Sequence, residues 1–226
     1  MPVEVYVEAA GKRAFAGAVD WPGWCRSGRD EEAALETFLG YAPRYARVMG
    51  GSRIRFTAPA RRSTLSIVER MRGDATTDFG APSIAPKADA APIDRRWLTR
   101  NEEILRACWE SFDRAVAGVT GELRKGPRGG GREVDAIVGH VVGAEGSYVR
   151  MIAGKPPSSV EDDPPAARDP VRAAVLEGLE RAVVDGIPAK GPRGGARWSA
   201  RYFVRRDAWH VLDHAWEIED RSSAEA

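Results

Sequence analysis

Apolar positions follow two periods along this chain, and the change from one to the other divides it. Near the start, Val3, Val5 and Val7 alternate with Glu4, Tyr6 and Glu8. Period two predicts a half-buried strand. Gly11-Lys12 turns the chain, and Arg13 to Val19 reads as a second strand in hairpin with the first. Trp21-Pro22-Gly23-Trp24-Cys25 has Pro then Gly in the order of a type II turn, with a short third strand after it. Asp30 then caps a helix that opens on Glu31 and Glu32 and carries Ala34, Leu35, Phe38 and Leu39 as its apolar stripe. Pro43 predicts a break near Ala42, with Tyr45 to Met49 as a second helical piece. Arg53–Ala58 and Thr64–Met71 read as further strands. The expectation for residues 1–75 is a small α/β domain built on an antiparallel sheet.

Periodicity fades between 76 and 93, where Pro, Ala and Asp dominate, and this stretch reads as a linker or extended strap. Beyond it the period becomes 3.6. Ile104, Leu105, Cys108, Trp109, Phe112 and Val116 mark a helix from about Asp94 to Val119, with Thr99 and Glu102 as a candidate capping box. Val134, Ile137, Val138, Val141, Tyr148 and Met151 mark a second, from Glu133 to Ala153. Asp169-Pro170, as cap and first helical residue, open a third that carries Val171, Val175, Leu176, Leu179 and Val183 and stops at Gly186. No proline or glycine interrupts the chain from Ser199 onward, which predicts a fourth. Four amphipathic helices joined by loops predict an up-and-down four-helix bundle over 94–226. The fold class expected is α+β, sheet domain first and bundle second.

Composition narrows the function. The 226 residues balance to a net charge of +1, which gives no electrostatic case for nucleic acid or an anionic membrane surface. No apolar run approaches the length of a membrane span, and MPVEVYVEAAGK is not a signal peptide. Cys25 and Cys108 form no CxxC motif, and no disulfide is expected between them. These features point to a soluble, cytoplasmic protein.

Candidate chemistry lies in the three histidines, the only ones in the chain. His210 and His214 are four apart on the last helix, so both imidazoles stand on one face, the spacing by which a helix gives two ligands to one metal ion. His140 sits in the second predicted helix. If the three converge, the centre keeps open positions for water or substrate, as catalytic metal sites do. Zinc, nickel and iron(II) all suit imidazole. Arg206, one turn before His210, together with Asp213 and Glu217, could support the ligands, an acid accepting a ligand N–H and fixing its tautomer; either acid could equally form a solvent-facing salt bridge with Arg206 or Arg221. Glu145, five residues past His140, lies about 140° off its face and is a poor ligand. Trp209 and Trp216 read as core.

One repeat stands out. Lys125-Gly126-Pro127-Arg128-Gly129-Gly130-Gly131-Arg132 recurs as Lys190-Gly191-Pro192-Arg193-Gly194-Gly195-Ala196-Arg197, each copy ahead of a histidine-bearing helix. Lys125, Arg128, Lys190 and Arg193 are candidates to hold an anion beside glycine-rich backbone. A pair of tight turns with cations in solvent accounts for the same residues.

Two resemblances bear on this. Asp20-Trp21-Pro22-Gly23-Trp24-Cys25 followed by Gly28-Arg29-Asp30-Glu31-Glu32-Ala33 resembles the HicB-type antitoxin domain, over roughly residues 1–60. That likeness implies an interaction module, with neither its toxin partner nor its DNA-binding domain visible in the chain. Val138-Gly139-His140-Val141-Val142-Gly143-Ala144-Glu145, with Arg205 through Glu217 around the HxxxH, resembles the DinB-like superfamily and its mycothiol-dependent relatives, over roughly 94–222. This second likeness implies a four-helix bundle with a histidine triad at His140, His210 and His214. It also implies chemistry on a low-molecular-weight thiol, as a transferase or isomerase, and a homodimer in some members. A metal-dependent hydrolase fits the same ligands, as does a non-catalytic metal- or ligand-binding protein.

Overall fold

The computed structural model describes residues 2–125, 131–163 and 165–222. Strands β1 (Val3–Ala9), β2 (Ala14–Ala18) and β3 (Cys25–Gly28) are followed by helices α1 (Glu31–Gly40) and α2 (Ala42–Met49), then by strand β4 (Leu65–Arg72). Helices α3 (Ala75–Phe79), α4 (Arg95–Ala117), α5 (Val134–Met151), α6 (Ser159–Asp162), α7 (Arg168–Asp185) and α8 (Ala200–Ser222) complete the chain. The protein is α+β.

The sheet runs β3-β2-β1-β4. β1, β2 and β3 pair antiparallel as the hairpin pattern requires, but β4 lies parallel to β1, so the sheet is mixed rather than antiparallel. The chain reaches β4 by a crossover carrying α1 and α2, the length of connection a parallel pair needs. Alternation of side chains carries no sign of strand direction. A bulge between Val5 and Tyr6 skips Val68, which is left half-exposed.

The expectation of a half-buried β1 also fails. Val5 and Val7 lie in the main core, yet Tyr6 and Glu8, on the other face, are just as buried. Residues 74–90 cover them. Asp74 and Thr77 form a capping box at α3, and the Glu8 carboxylate accepts hydrogen bonds from the Thr77 hydroxyl (2.5 Å) and from the Ser83 and Ile84 amides (3.0 and 3.1 Å). The segment expected as a linker is therefore an ordered strap.

Arg53–Ala58 forms no strand. Its apolar residue Phe56 instead plugs an aromatic cluster, 4.8 Å from the Trp21 ring, 5.3 Å from Trp24 and 5.0 Å from Tyr45. Gly23 sits at φ 93°, as the type II turn demands, and a side chain there would come within 2.8 Å of Leu212 on α8.

The long helices begin close to where the sequence signals place them. α4 starts after Asp94, whose carboxylate accepts from the Trp97 amide, while the expected Thr99–Glu102 box lies inside the helix, with Thr99 bonded to the Arg95 carbonyl. α7 begins at Arg168, one residue ahead of the expected cap. α4 meets α8 and α7, and α5 meets the same two, so the four close on one another. One continuous cluster of buried apolar residues runs from Val5 in the sheet to Ile218 in α8. Trp209 and Trp216 are buried, against Phe15 and Tyr41 respectively. Cys25 and Cys108 are buried free thiols.

α8 is the element on which both parts rest. Arg205 is almost fully buried and forks onto Asp89 of the strap (2.7 Å), with further donors on the Ala18 and Val19 carbonyls at the end of β2 (2.7 and 3.0 Å). Three residues of the sheet end and the strap are thereby fastened to α8 by one guanidinium.

Candidate metal centre

α5 and α8 bring the three histidines together. One ring nitrogen from each of His140, His210 and His214 lies within 4.8 Å of the others. His140 Nε2 and His210 Nε2 are 3.2 Å apart. Two nitrogens that each bind one tetrahedral ion at about 2.0–2.1 Å stand about 3.4 Å apart, so the spacing fits a shared ion. The same distance also suits a single N–H···N hydrogen bond between two neutral rings.

His214 is the best supported of the three. Its Nδ1 bonds the Glu217 carboxylate at 2.8 Å, leaving Nε2 free for a ligand bond. Arg221, one turn further, donates to the other Glu217 oxygen at 3.0 Å. The His214 bond and then Arg221 hold Glu217 below the usual carboxylate range. Arg221 continues outward. It donates to the Arg124 and Arg132 carbonyls, both at 2.7 Å, and so gathers both ends of the glycine-rich segment 125–132 onto α8. Gly131 makes this possible, at φ 140° and with its α-carbon so close that a side chain would lie 2.7 Å from the Arg221 guanidinium.

His210 is buried, and burial followed by the charges around it pushes its pKa well down; His140 shifts the same way, also chiefly through desolvation. A neutral imidazole is the form that binds metal. His140 is exposed, which opens the cluster to solvent. His210 Nδ1 is buried without a hydrogen-bond partner, so His210 lacks the kind of support His214 has.

The other sequence candidates fall in different places. Asp213 does not reach a ligand: it pairs with Arg26 of β3 at 2.7 Å and ties the helix to the sheet. Arg206 braces its guanidinium over the Trp209 ring (4.7 Å) and the Tyr148 ring (5.9 Å) and donates to the Pro82 carbonyl. Lys190 pairs its backbone with Ala196 in a tight hairpin that puts Lys190 and Arg193 in solvent. Lys125 is exposed, and Arg128 lies outside the described residues.

Sequence reasoning missed Arg132 and Tyr148 as neighbours of the histidines. Arg221, expected as a solvent-facing partner for Asp213 or Glu217, does pair with Glu217 at i+4, but it is buried there. Tyr148 lies two turns beyond His140, its ring 5.9 Å from His210 and 5.1 Å from Trp198. Those contacts join separate elements, α5 with α8 and α5 with the loop before α8, and leave no local pattern.

Among the described residues no helix is long and apolar enough to cross a membrane. Comparison of the chain with protein-family models, with curated proteins and with solved structures finds no match.

Proposed function

We propose that this chain is a metal-dependent enzyme acting on a small molecule, with a divalent zinc, nickel or iron ion held by His140, His210 and His214. The observation that carries the reading is the convergence of three ring nitrogens within 4.8 Å, one of them on a histidine already oriented by a carboxylate. In this reading α4, α5, α7 and α8 form a DinB-like four-helix bundle, and the resemblance of the His140 and HxxxH segments to that superfamily favours a thiol-dependent transferase or isomerase.

An ion in this position supplies Lewis acidity toward a thiol, a water or a carbonyl. The chain does the rest. Burial keeps His210 neutral, and Glu217 fixes the His214 tautomer while Arg221 holds Glu217 in place. The exposed His140 edge leaves the substrate an approach. Tyr148 walls one side, with Trp198 packed against it.

Elemental analysis of the untagged protein tests the reading. About one ion per chain, lost in both His210→Ala and His140→Ala, is the expected result. Metal-free protein whose two variants fold normally would remove the centre. A metal that is bound without turnover of any thiol adduct or ester would leave a non-catalytic binding protein.

A further inference from the structure

Among the described residues, two arginines beside the histidine centre have no acid to pair with. Arg206 makes no ion pair among the described residues, and neither does Arg132. The acid next to Arg206 in sequence, Asp207, points the other way and is completely buried. Arg206 is held in place nonetheless, by the Trp209 and Tyr148 rings and by the Pro82 carbonyl. Tyr148 stands between it and the centre, 5.9 Å from the Arg206 guanidinium and 5.9 Å from the His210 ring. Arg132 approaches from the far end of α8, its carbonyl anchored by Arg221 and its exposed side chain free. Arg221 holds both the Arg132 carbonyl and the Glu217 carboxylate that bonds His214, which ties Arg132 to the centre. One braced guanidinium, Arg206, and one exposed, Arg132, beside an open cluster of imidazoles form a receptor for negative charge.

We propose that the substrate of the histidine centre carries a second, anionic group, a carboxylate or a phosphate-like group, which Arg206 receives with help from Arg132 while the reacting atom faces the histidines. The inference rests on the metal reading above and assigns its substrate class. Arg206 becomes a binding residue rather than a support for the ligands, and the Tyr148 and Trp198 rings flank the body of the molecule between its two ends.

Cobalt(II)-loaded full-length protein gives a test that needs no turnover, because a thiol joining cobalt produces a charge-transfer band. Three probes separate the contributions: 3-mercaptopropionate, 2-mercaptoethylphosphonate and neutral 2-mercaptoethanol. The acids should bind about tenfold more tightly than the alcohol, as expected of a charge-assisted pair. The better of the two acids identifies carboxylate or phosphate. Arg206→Gln combined with Arg132→Ala should erase the preference without reducing cobalt uptake, and Arg206→Lys should keep part of it. Equal binding of acids and alcohol, a preference unchanged in the double variant, or no band with any thiol would overturn the proposal. Failure to take up cobalt at all would sink the metal reading, and this one with it; cobalt uptake without acid preference sinks this one alone.

Discussion

Arg205 and Asp207 lie two residues apart on α8, both buried, and the fold treats them in opposite ways. Arg205 has donors on both Asp89 oxygens and on two strand carbonyls. Burial alone would lower its pKa, but the Asp89 bonds outweigh that and raise it. Asp207 has nothing: both of its oxygens are buried without a hydrogen-bond partner. Its neighbour across α5, Glu145, uses one oxygen to accept from the Trp109 indole at 2.6 Å and leaves the other unpartnered. Burial, and then the charge on Glu145, push the Asp207 pKa well up; burial also raises Glu145. A charge that fastens parts together is fully bonded, because an unpaired one would cost more than the fastening gains. The two acids with unpartnered oxygens sit on the two helices that carry the histidines. They persist because protonation removes the charge, for Asp207 up to a pH well above the usual carboxylate range and for Glu145 below about pH 7.

The sharpest way to break this comparison is at Arg205. Arg205→Ala leaves Asp89 as a buried, unpaired carboxylate and frees two strand carbonyls. A loss of about 3–5 kcal/mol is expected, or a fall in melting temperature on the order of 10 °C for a chain of this size. Asp89→Ala should cost nearly as much, and the double variant clearly less than the sum, since each single change already removes the shared interaction. Thermal unfolding of the three variants measures this. Additive effects would mean that the pair does not act as a unit.

A smaller and more local effect is expected at Glu217. Glu217→Gln should weaken metal binding about 10- to 100-fold, the usual consequence of losing a carboxylate behind a ligand histidine, and leave the melting temperature of the metal-free protein nearly unchanged. Asp213→Asn breaks the tie to Arg26 instead and should leave metal affinity alone. Competition with a chromophoric chelator reads both. Equal losses in the two variants would show that the distinction between them is wrong.

Residues acting within one element were legible in the sequence. The HxxxH pair, the Glu217 turn, the Asp30 cap and the Pro43 break all follow from spacing along a single helix or turn. Relations between elements were not. Nothing in residues 65–72 announces that β4 runs parallel to β1, because alternation is the same in either direction. The strap looked like a linker because its order comes from distant groups: Glu8 for its Thr77, Ser83 and Ile84 donors, Arg205 for its Asp89. Asp213 stood on a plausible helix face for supporting a ligand, but a cation on β3 claimed it. Glu145 was set aside as a ligand by its place on the helix, and its burial beside Asp207 could not be read from a helical wheel that shows only one helix.

The gentlest change falls on the unpaired acids and is the most diagnostic in sign. Glu145 has a folded pKa raised from 4.5 to about 7, so the folded state binds its proton more tightly than the unfolded chain does. Its contribution to stability is therefore full below about pH 4.5, declines as pH rises toward 7, and is a constant penalty above that. The penalty has an upper bound of roughly 3 kcal/mol at pH 8. Glu145→Gln keeps an oxygen for the Trp109 indole and cannot ionise. It should stabilise the protein by about 1–2 kcal/mol at pH 8, the remainder being lost to the cost of burying an amide. The gain should vanish near pH 5, where the wild-type acid is already neutral. The depressed pKa values of His210 and His140 act with the opposite slope, since their protonation favours the unfolded chain as pH falls below about 6.5, but they are common to both proteins and cancel in the difference. Denaturant unfolding of the pair at pH 5, 6, 7 and 8 gives that difference directly. A variant less stable than wild type at pH 8 would mean that the Glu145 carboxylate is charged and paired in the folded protein, and the contrast with Arg205 would disappear.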